Sequence, residues 1–331
     1  MASDLVTRDR FAGEDALLAR TAGAGEEPTF RMASRVAAVV VTFNRREIVL
    51  ECLSSLFSGT RRPDEVIVVD NGSSDGTSDA IRARYPKVRL LSIGENLGPA
   101  GGFNRGMRAA LQLDCDWIMV LGDDVFLEAD TLRSLLQVAA SADGTVAMVA
   151  PVVPGNPPRI WRHWAISLPV VPSHPGQSVP PIEVDMVVYN APLIRADVVR
   201  QLGGPREDYV VTWWEWEYGL RLRQRGYRIL ILPDARVRHL ALGSAALGPS
   251  SRVLAPWYGY YLARNHLRLI LERRSVIDGL FWAFHQTKWL ATLPERDHRG
   301  ARVWFRLLGA IDALRGRMGR TVVPQLTTKG W

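Results

Sequence analysis

Two glutamates stand among three tryptophans in VVTWWEWEYGLRLRQRG, Val210 to Gly226. Bare carboxylates in an apolar aromatic setting are costly unless they are paired or used. On a helix, residues two apart point to nearly opposite sides, so Glu215 and Glu217 do not share one pocket. Glu217 has Arg221 at i,i+4 and reads as an ion-paired helix residue. Glu215 has Gly219 there and is the freer acid. A carboxylate against aromatic walls has a raised pKa, which suits it to take a proton from a hydroxyl. Glu215 is the candidate catalytic base, and a carboxylate pair of the glycosidase kind within this motif is disfavoured.

Four further groups carry chemistry. LGDDV places Asp123 and Asp124 at the end of an apolar run, where acids suit a hard cation such as Mg2+ or Mn2+. A helix cap is the ordinary alternative. His239 closes RVRH, 24 residues after Glu215, and joins the metal candidates beside such acids. VVDNGSSDGT ends a strand in Asp70 and Asn71; it offers acceptors to a nucleobase or ribose, though Asn, Gly, Ser and Asp also dominate ordinary turns. NLGPAGGFNRG, with Asn96, Gly101, Gly102 and Asn104, reads as a glycine-rich loop that lets backbone approach a ligand before a helix begins. It matches neither the dinucleotide fingerprint nor a Walker loop, and packing alone would also explain it.

These residues need elements to position them. RVAAVVVTF, Arg35 to Phe43, is a continuous β-branched run of the kind buried on both faces. A helix closed by Gly59 follows, then DEVIVVD as a strand, a helix over 77–84, VRLLSI as a third strand, DWIMVLGDDV as a fourth, and ADTLRSLLQVAASA as a helix. This alternation implies β-α-β units and a mostly parallel α/β sheet flanked by helices. Ligands bind such sheets beyond the carboxyl ends of the strands. Thr42, Asn44, Asp70, Asn71, Asn96, Asp123 and Asp124 all fall there. Residues 149–182 read as a long irregular loop or hairpin excursion, EVDMVVYNAPLIRADVVRQLGG as strand then helix, and RILILPDARVRH as a strand pair.

Composition bounds the rest. The chain has 331 residues, 47% of them apolar, enough for a sizeable core. Its two cysteines, Cys52 and Cys115, form no disulfide framework or zinc ribbon. No apolar stretch is long enough to span a membrane, and MASDLVTRDRFAGED lacks an apolar signal core, so a cytoplasmic place is expected. The net charge of +7 is uneven: residues 251–331 hold 14 Lys/Arg against 5 Asp/Glu. That basic region suits an anionic surface, with peripheral association at the inner membrane face as the expectation; a solvated helix surface is the plainer account, and no nucleic acid is expected. Three parts follow: a mobile arm over 1–34, the α/β domain over 35–247, and a basic helical region over 248–331.

Taken in order, VVVTFNRRE, VVDNGSSDGT, ENLGPAGGFNRGM, the strand-end acids and the acidic motif before EYGLRLRQRGYRI resemble the family 2 nucleotide-sugar glycosyltransferases of GT-A fold. NLGPAGGFNRGM and YYLARN are similar to segments of galactofuranosyl- and rhamnosyl-type members. The resemblance spans about Arg35 to His239. It implies a Rossmann-like GT-A sheet, a nucleoside site lined by Thr42, Asn44, Asp70 and Asn96, a divalent cation on Asp124 with Asp123 beside it and His239 in reach, and Glu215 as base of an inverting transfer to an acceptor hydroxyl. A UDP- or dTDP-sugar is the implied donor. Two positions depart from the pattern: Gly122 replaces the first acid of D-x-D, and Trp214 the first acid of the base motif. A sugar-phosphate nucleotidyltransferase, which needs a basic triphosphate loop hinted at by Arg45 and Arg46, and a non-catalytic nucleotide-sugar-binding module are the rival readings.

Overall fold

The computed structural model describes residues 34–153, 159–162, 166–169, 179–240, 255–273, 276–291 and 298–322. The expected arm over 1–34 lies almost wholly outside them. The chain runs β1 (Val36–Thr42), α1 (Arg46–Ser58), β2 (Glu65–Asp70), α2 (Thr77–Arg84), β3 (Arg89–Ser92), α3 (Gly98–Ala110), β4 (Trp117–Gly122) and β5 (Val125–Leu127). It continues through α4 (Thr131–Ser141), β6 (Val146–Val152), β7 (Arg159–Arg162), β8 (Ile166–Pro169), β9 (Ile182–Val184), β10 (Asn190–Arg195) and α5 (Ala196–Leu202). After a 3-10 turn at Glu207–Tyr209 come α6 (Trp214–Gln224), β11 (Arg228–His239), α7 (Pro256–Arg273), α8 (Val276–Ala291) and α9 (Arg299–Arg315).

The main sheet has the order β3-β2-β1-β4-β10-β6-β11-β5, with β9 on β11. β1 pairs in parallel with β2 and β4, β2 with β3, and β6 with β11. β10 enters antiparallel between β4 and β6, and β5 and β9 lie antiparallel on β11. The parallel set therefore places the ends of β1, β2 and β4 along one edge. β7 and β8 form a separate antiparallel hairpin inside the excursion expected over 149–182.

The apolar run of β1 is explained by cover on both sides. Ala37, Val39 and Val41 join a core with Phe103 and Met107 of α3 and Trp214, Tyr218 and Leu222 of α6. Val36, Ala38 and Val40 face the opposite core, with Leu53 of α1, Ile81 of α2 and Leu135 of α4. Successive strand residues point to opposite faces, so a strand between two helical layers must be apolar throughout.

Two expectations over particular segments are corrected. The glycine-rich stretch is not a loop: α3 begins at Gly98, and Gly101 and Gly102 lie in its first turns, buried. A Cβ on Gly102 would stand 2.6 Å from Val41 Cγ1, and one on Gly106 2.2 Å from Val39 Cγ1. These glycines let the helix lie close on the sheet, a packing role. RILILPDARVRH is one long strand, not a pair. Its register on β6 shifts between Ile231 and Arg236, around Pro233, which has no N–H for the ladder; the strand then changes partner and pairs with β5.

Candidate functional site

Every loop at the β1, β2 and β4 ends is tied to its neighbour. Asn44, at φ +51, accepts Ser74 N–H on Oδ1 at 2.7 Å, while its own N–H donates to Ser73 Oγ at 2.9 Å. Asp70 accepts Ser73 N–H at 2.8 Å and the Ser78 hydroxyl. Asn71 donates to Asn96 Oδ1 and to Gly98 O, both at 3.1 Å, and accepts Leu97 N–H at 3.2 Å. Asn96 also accepts Gly98 N–H at 2.8 Å. Asn71 N–H also donates to Thr42 O at 2.9 Å, so Thr42, Asn44, Asp70, Asn71 and Asn96 are brought together as one hydrogen-bonded rim. Asn104 is not part of it. One turn further along α3, its amide donates to Pro205 O at 2.7 Å, so it braces the segment leading to α6.

β4 ends at Gly122, before the two acids, so strand alternation no longer separates their side chains. Both turn to Arg45: Nη1 lies 2.9 Å from Asp123 Oδ1 and 3.5 Å from Asp124 Oδ2. Asp123 also accepts the Thr42 hydroxyl at 2.7 Å. Burial lifts the Asp123 carboxyl to about 6 against the pull of Arg45 and Thr42. Asp124 meets His239, whose Nε2 is 3.4 Å from its Oδ1, because His239 stands opposite Val125 in the β5–β11 ladder. A carboxylate and an imidazole converging at the strand ends have the chemistry to hold a divalent cation that would take its remaining ligands from a diphosphate. No cluster of three or more carboxylate, histidine or cysteine ligands forms among the described residues. In the sequence Arg45 is only a hint of a triphosphate loop. It is committed to the two acids instead, and Arg46 pairs with Glu47 at 2.8 Å.

The aromatic wall of α6 is largely packing. Trp214 is buried against Phe103 and, edge-on at 4.6 Å, Tyr189. Trp216 packs with Met186 and with Leu269 of α7. Trp213 stacks on His266 of α7 at 3.8 Å. Glu217 is held by Arg221, with two N–H to carboxylate contacts of 2.9 Å, as the i,i+4 spacing requires. No described residue donates a side-chain hydrogen bond or ion pair to Glu215, and burial lifts its carboxyl to about 7, opposed only by its own backbone N–H. Asn190 pairs with Leu121 in the β4–β10 ladder, which sets Tyr189 at the end of β4. The Glu215 charge contributes to the raised Tyr189 phenol, after burial and Tyr218. Trp214, the chain neighbour of Glu215, meets Tyr189 edge-on at 4.6 Å, so α6 begins beside the end of β4.

The turn before Glu215 is strained. Val210, Thr212 and Trp213 have φ of +62, +58 and +66, unusual for any side chain and more so for β-branched ones. Val210, with ψ −67 and Val211 N–H donating to Tyr209 O at 2.7 Å, centres a γ-turn of the less favoured hand. Two neighbours hold it. Ala100 N–H donates to Val210 O at 3.2 Å, where Gly98 leaves room: a Cβ there would lie 2.4 Å from that oxygen. From α7, Asn265 Nδ2 reaches Tyr209 O and Val211 O at 2.8 Å and Thr212 O at 3.0 Å. Buried Arg264 donates to Asp208 O at 3.0 Å and Gly319 O at 2.5 Å, its guanidinium over the Tyr261 ring. In the sequence YYLARN is marked only by similarity. Its role as a clamp depends on a contact between segments some 55 residues apart, for which no local spacing gives a signal.

Residues 37–203 match the glycosyl transferase family 2 model, half of the chain. A galactofuranosyltransferase, GlfT1, of Mycobacterium tuberculosis is 30% identical over 305 residues, covering 83% of this chain and 95% of that protein. An N-acetylglucosaminyl-diphospho-decaprenol L-rhamnosyltransferase of the same species is 28% identical over 252 residues, 68% of this chain and 82% of that one. Among solved structures, a mannosyltransferase of Pyrobaculum calidifontis in complex with GDP-Man and Mn2+ superposes with a TM-score of 0.54 at 17% identity, over 88% of this chain and 90% of that one. The fold is thus GT-A.

Proposed function

The chain belongs to glycosyl transferase family 2 and is a glycosyltransferase acting on nucleotide sugars, and on that premise we propose an inverting, metal-assisted transfer with Glu215 as the base. The observation that carries this reading is Glu215 itself: a carboxylate without a cationic partner among the described residues, lifted to about 7 by burial, in the first turn of a helix that begins beside the end of β4. A group with that pKa is half-ionised near neutrality and can accept a proton from an acceptor hydroxyl. The freed oxygen attacks the anomeric carbon on the face opposite the diphosphate, which leaves with its electron pair. Thr42, Asn44, Asp70, Asn71 and Asn96 line the nucleoside side of the site. Asp124 and His239 would hold the divalent cation, Mg2+ or Mn2+, which when bound would neutralise charge on the diphosphate. Asp123 and Arg45 support Asp124 from behind and preset its orientation.

The donor is read as a UDP- or dTDP-sugar and the acceptor as a hydroxyl of a lipid-linked saccharide, a glycan or a small natural product. Gly122 and Trp214 leave both motifs one acid short, so Asp124 and Glu215 each act without the usual neighbour. The nucleotidyltransferase reading has lost its support, because Arg45 and Arg46 are engaged by acids and the family is a transferase of sugars. A thermal-shift panel of nucleotide sugars with and without Mn2+, followed by donor hydrolysis, tests the proposal. A stabilising response confined to one donor class, with hydrolysis, is expected; stabilisation with no hydrolysis under any cation would instead favour a binding module.

A further inference from the structure

α8 and α9 present apolar residues on the faces turned away from the protein. In α9, Trp304, Leu307, Ile311 and Leu314 recur at helical spacing and are exposed, Trp304 at 61% and Leu314 at 67%. They lie opposite the face, Gly309, Asp312 and Ala313, by which α9 seats on α7. In α8, Ile277, Leu280 and Phe284 form the outer stripe, each above 60% exposed. The two helices touch through inner residues, where the Arg306 guanidinium lies 4.1 Å over the Trp289 ring and donates to Gln286 at 2.7 Å. A helix apolar on both sides is one whose second side is covered. Exposed apolar faces of this extent mark an interaction surface.

The charges identify what covers it. Among the described residues of α8, α9 and the segment after α9, the acids are Asp278 and Asp312, and both are buried. The exposed charged side chains of the two helices are Lys288, Arg299 and Arg315; beyond α9, Arg317 turns to Asp312 at 3.7 Å and Arg320 to Glu95 at 3.8 Å. Among the described residues, the outer faces of α8 and α9 are therefore apolar and cationic with no exposed acid. Two copies packed face to face by a twofold axis would set like charges together. A lipid bilayer with anionic headgroups meets both properties: acyl chains for the stripe and phosphates for the arginines. Among the described residues no helix is long and apolar enough to cross a membrane. We propose that the outer faces of α8 and α9 lie in the headgroup boundary of an anionic membrane and dock the enzyme there. The proposal rests on the reading of a basic C-terminal region at a membrane surface, and deepens it by naming the residues that insert.

The test uses the full chain with vesicles of phosphatidylcholine alone or with phosphatidylglycerol, the bound fraction being read by co-sedimentation at low and high salt. Binding to the anionic vesicles, weakened by salt, is expected. Leu307→Asp with Ile311→Asp, and separately Leu280→Asp with Phe284→Asp, should each lower partitioning by about tenfold or more. All substituted positions are exposed, so the donor-induced thermal shift should be unchanged. No binding to either vesicle, equal binding by parent and variants, or a dimer in solution that the same substitutions dissociate would overturn the proposal. Vesicle binding without any donor response would sink the transferase mechanism and leave this surface standing.

Discussion

Glu215 carries the most chemistry for a single side chain. Glu215→Gln keeps the shape and removes the proton acceptor; a loss of transfer of about 10² to 10⁴ is expected, with donor-induced stabilisation retained. The pH dependence has a definite sign. The folded pKa of about 7 lies above the ordinary value of 4.5, so the folded state holds this proton more tightly than the unfolded chain. Ionisation begins to cost stability above the unfolded value, and the cost is complete once pH passes the folded one, up to about 3 kcal/mol. Glu215→Gln should therefore melt higher than the parent at pH 8 and like it at pH 4, while parent activity falls as pH drops below about 7. At the other acids the expectation is asymmetric. Asp124→Asn should abolish the Mn2+ contribution to donor stabilisation in a thermal-shift titration, as chelation does in the parent. Asp123→Asn should leave much of it, because Asp123 is committed to Arg45 and Thr42. A full Mn2+ response in Asp124→Asn would take that residue out of the cation site.

Between elements, the decisive contact joins α7 to the turn before α6. A segment with three non-glycine residues at positive φ does not hold that form by local preference. It holds because Asn265 answers three of its carbonyls, Arg264 a fourth, and the start of α3 packs beneath it. Asn265→Ala removes the donor to those carbonyls and lets α6 begin in a different direction. A fall in kcat of about tenfold to a hundredfold is expected, the scale of a displaced catalytic group. The donor KM should change little, since the proposed nucleoside rim belongs to β1, β2 and the start of α3. Equal changes in kcat and donor KM would mean a general loosening and not a displaced base.

Across the whole molecule, the parallel strands bring the polar rim and the acids to one edge, and the C-terminal helices brace the turn before the proposed base. Val210 and Val211 pack with Tyr260 and Tyr261 of α7, and Trp216 with Leu269. The basic C-terminal region is consequently a strut of the transferase as well as its proposed membrane face. Ending the chain at residue 250 should expose those apolar residues and free the strained turn. The expected result is loss of donor-induced stabilisation and a broadened thermal transition. A truncated chain with parent-like donor response and melting would show that the C-terminal helices serve docking alone.

Much of this was legible in the sequence because it is local or periodic. The runs of β1 and β2, the α2 boundaries, the polar strand ends, and the Glu217–Arg221 pair with Glu215 left over all follow from spacing along one element. The order of motifs carried the family. Tertiary structure alone decided the rest, where the partners are distant in the chain. The glycines of α3 look like a loop that lets backbone approach a ligand until Val39 and Val41 are seen beneath them. Arg45 looks like a phosphate ligand until the end of β4 brings two carboxylates to it. Asn104 and YYLARN acquire roles only from segments far along the chain. Periodicity records which face of an element is covered, and it holds no record of which distant residue does the covering.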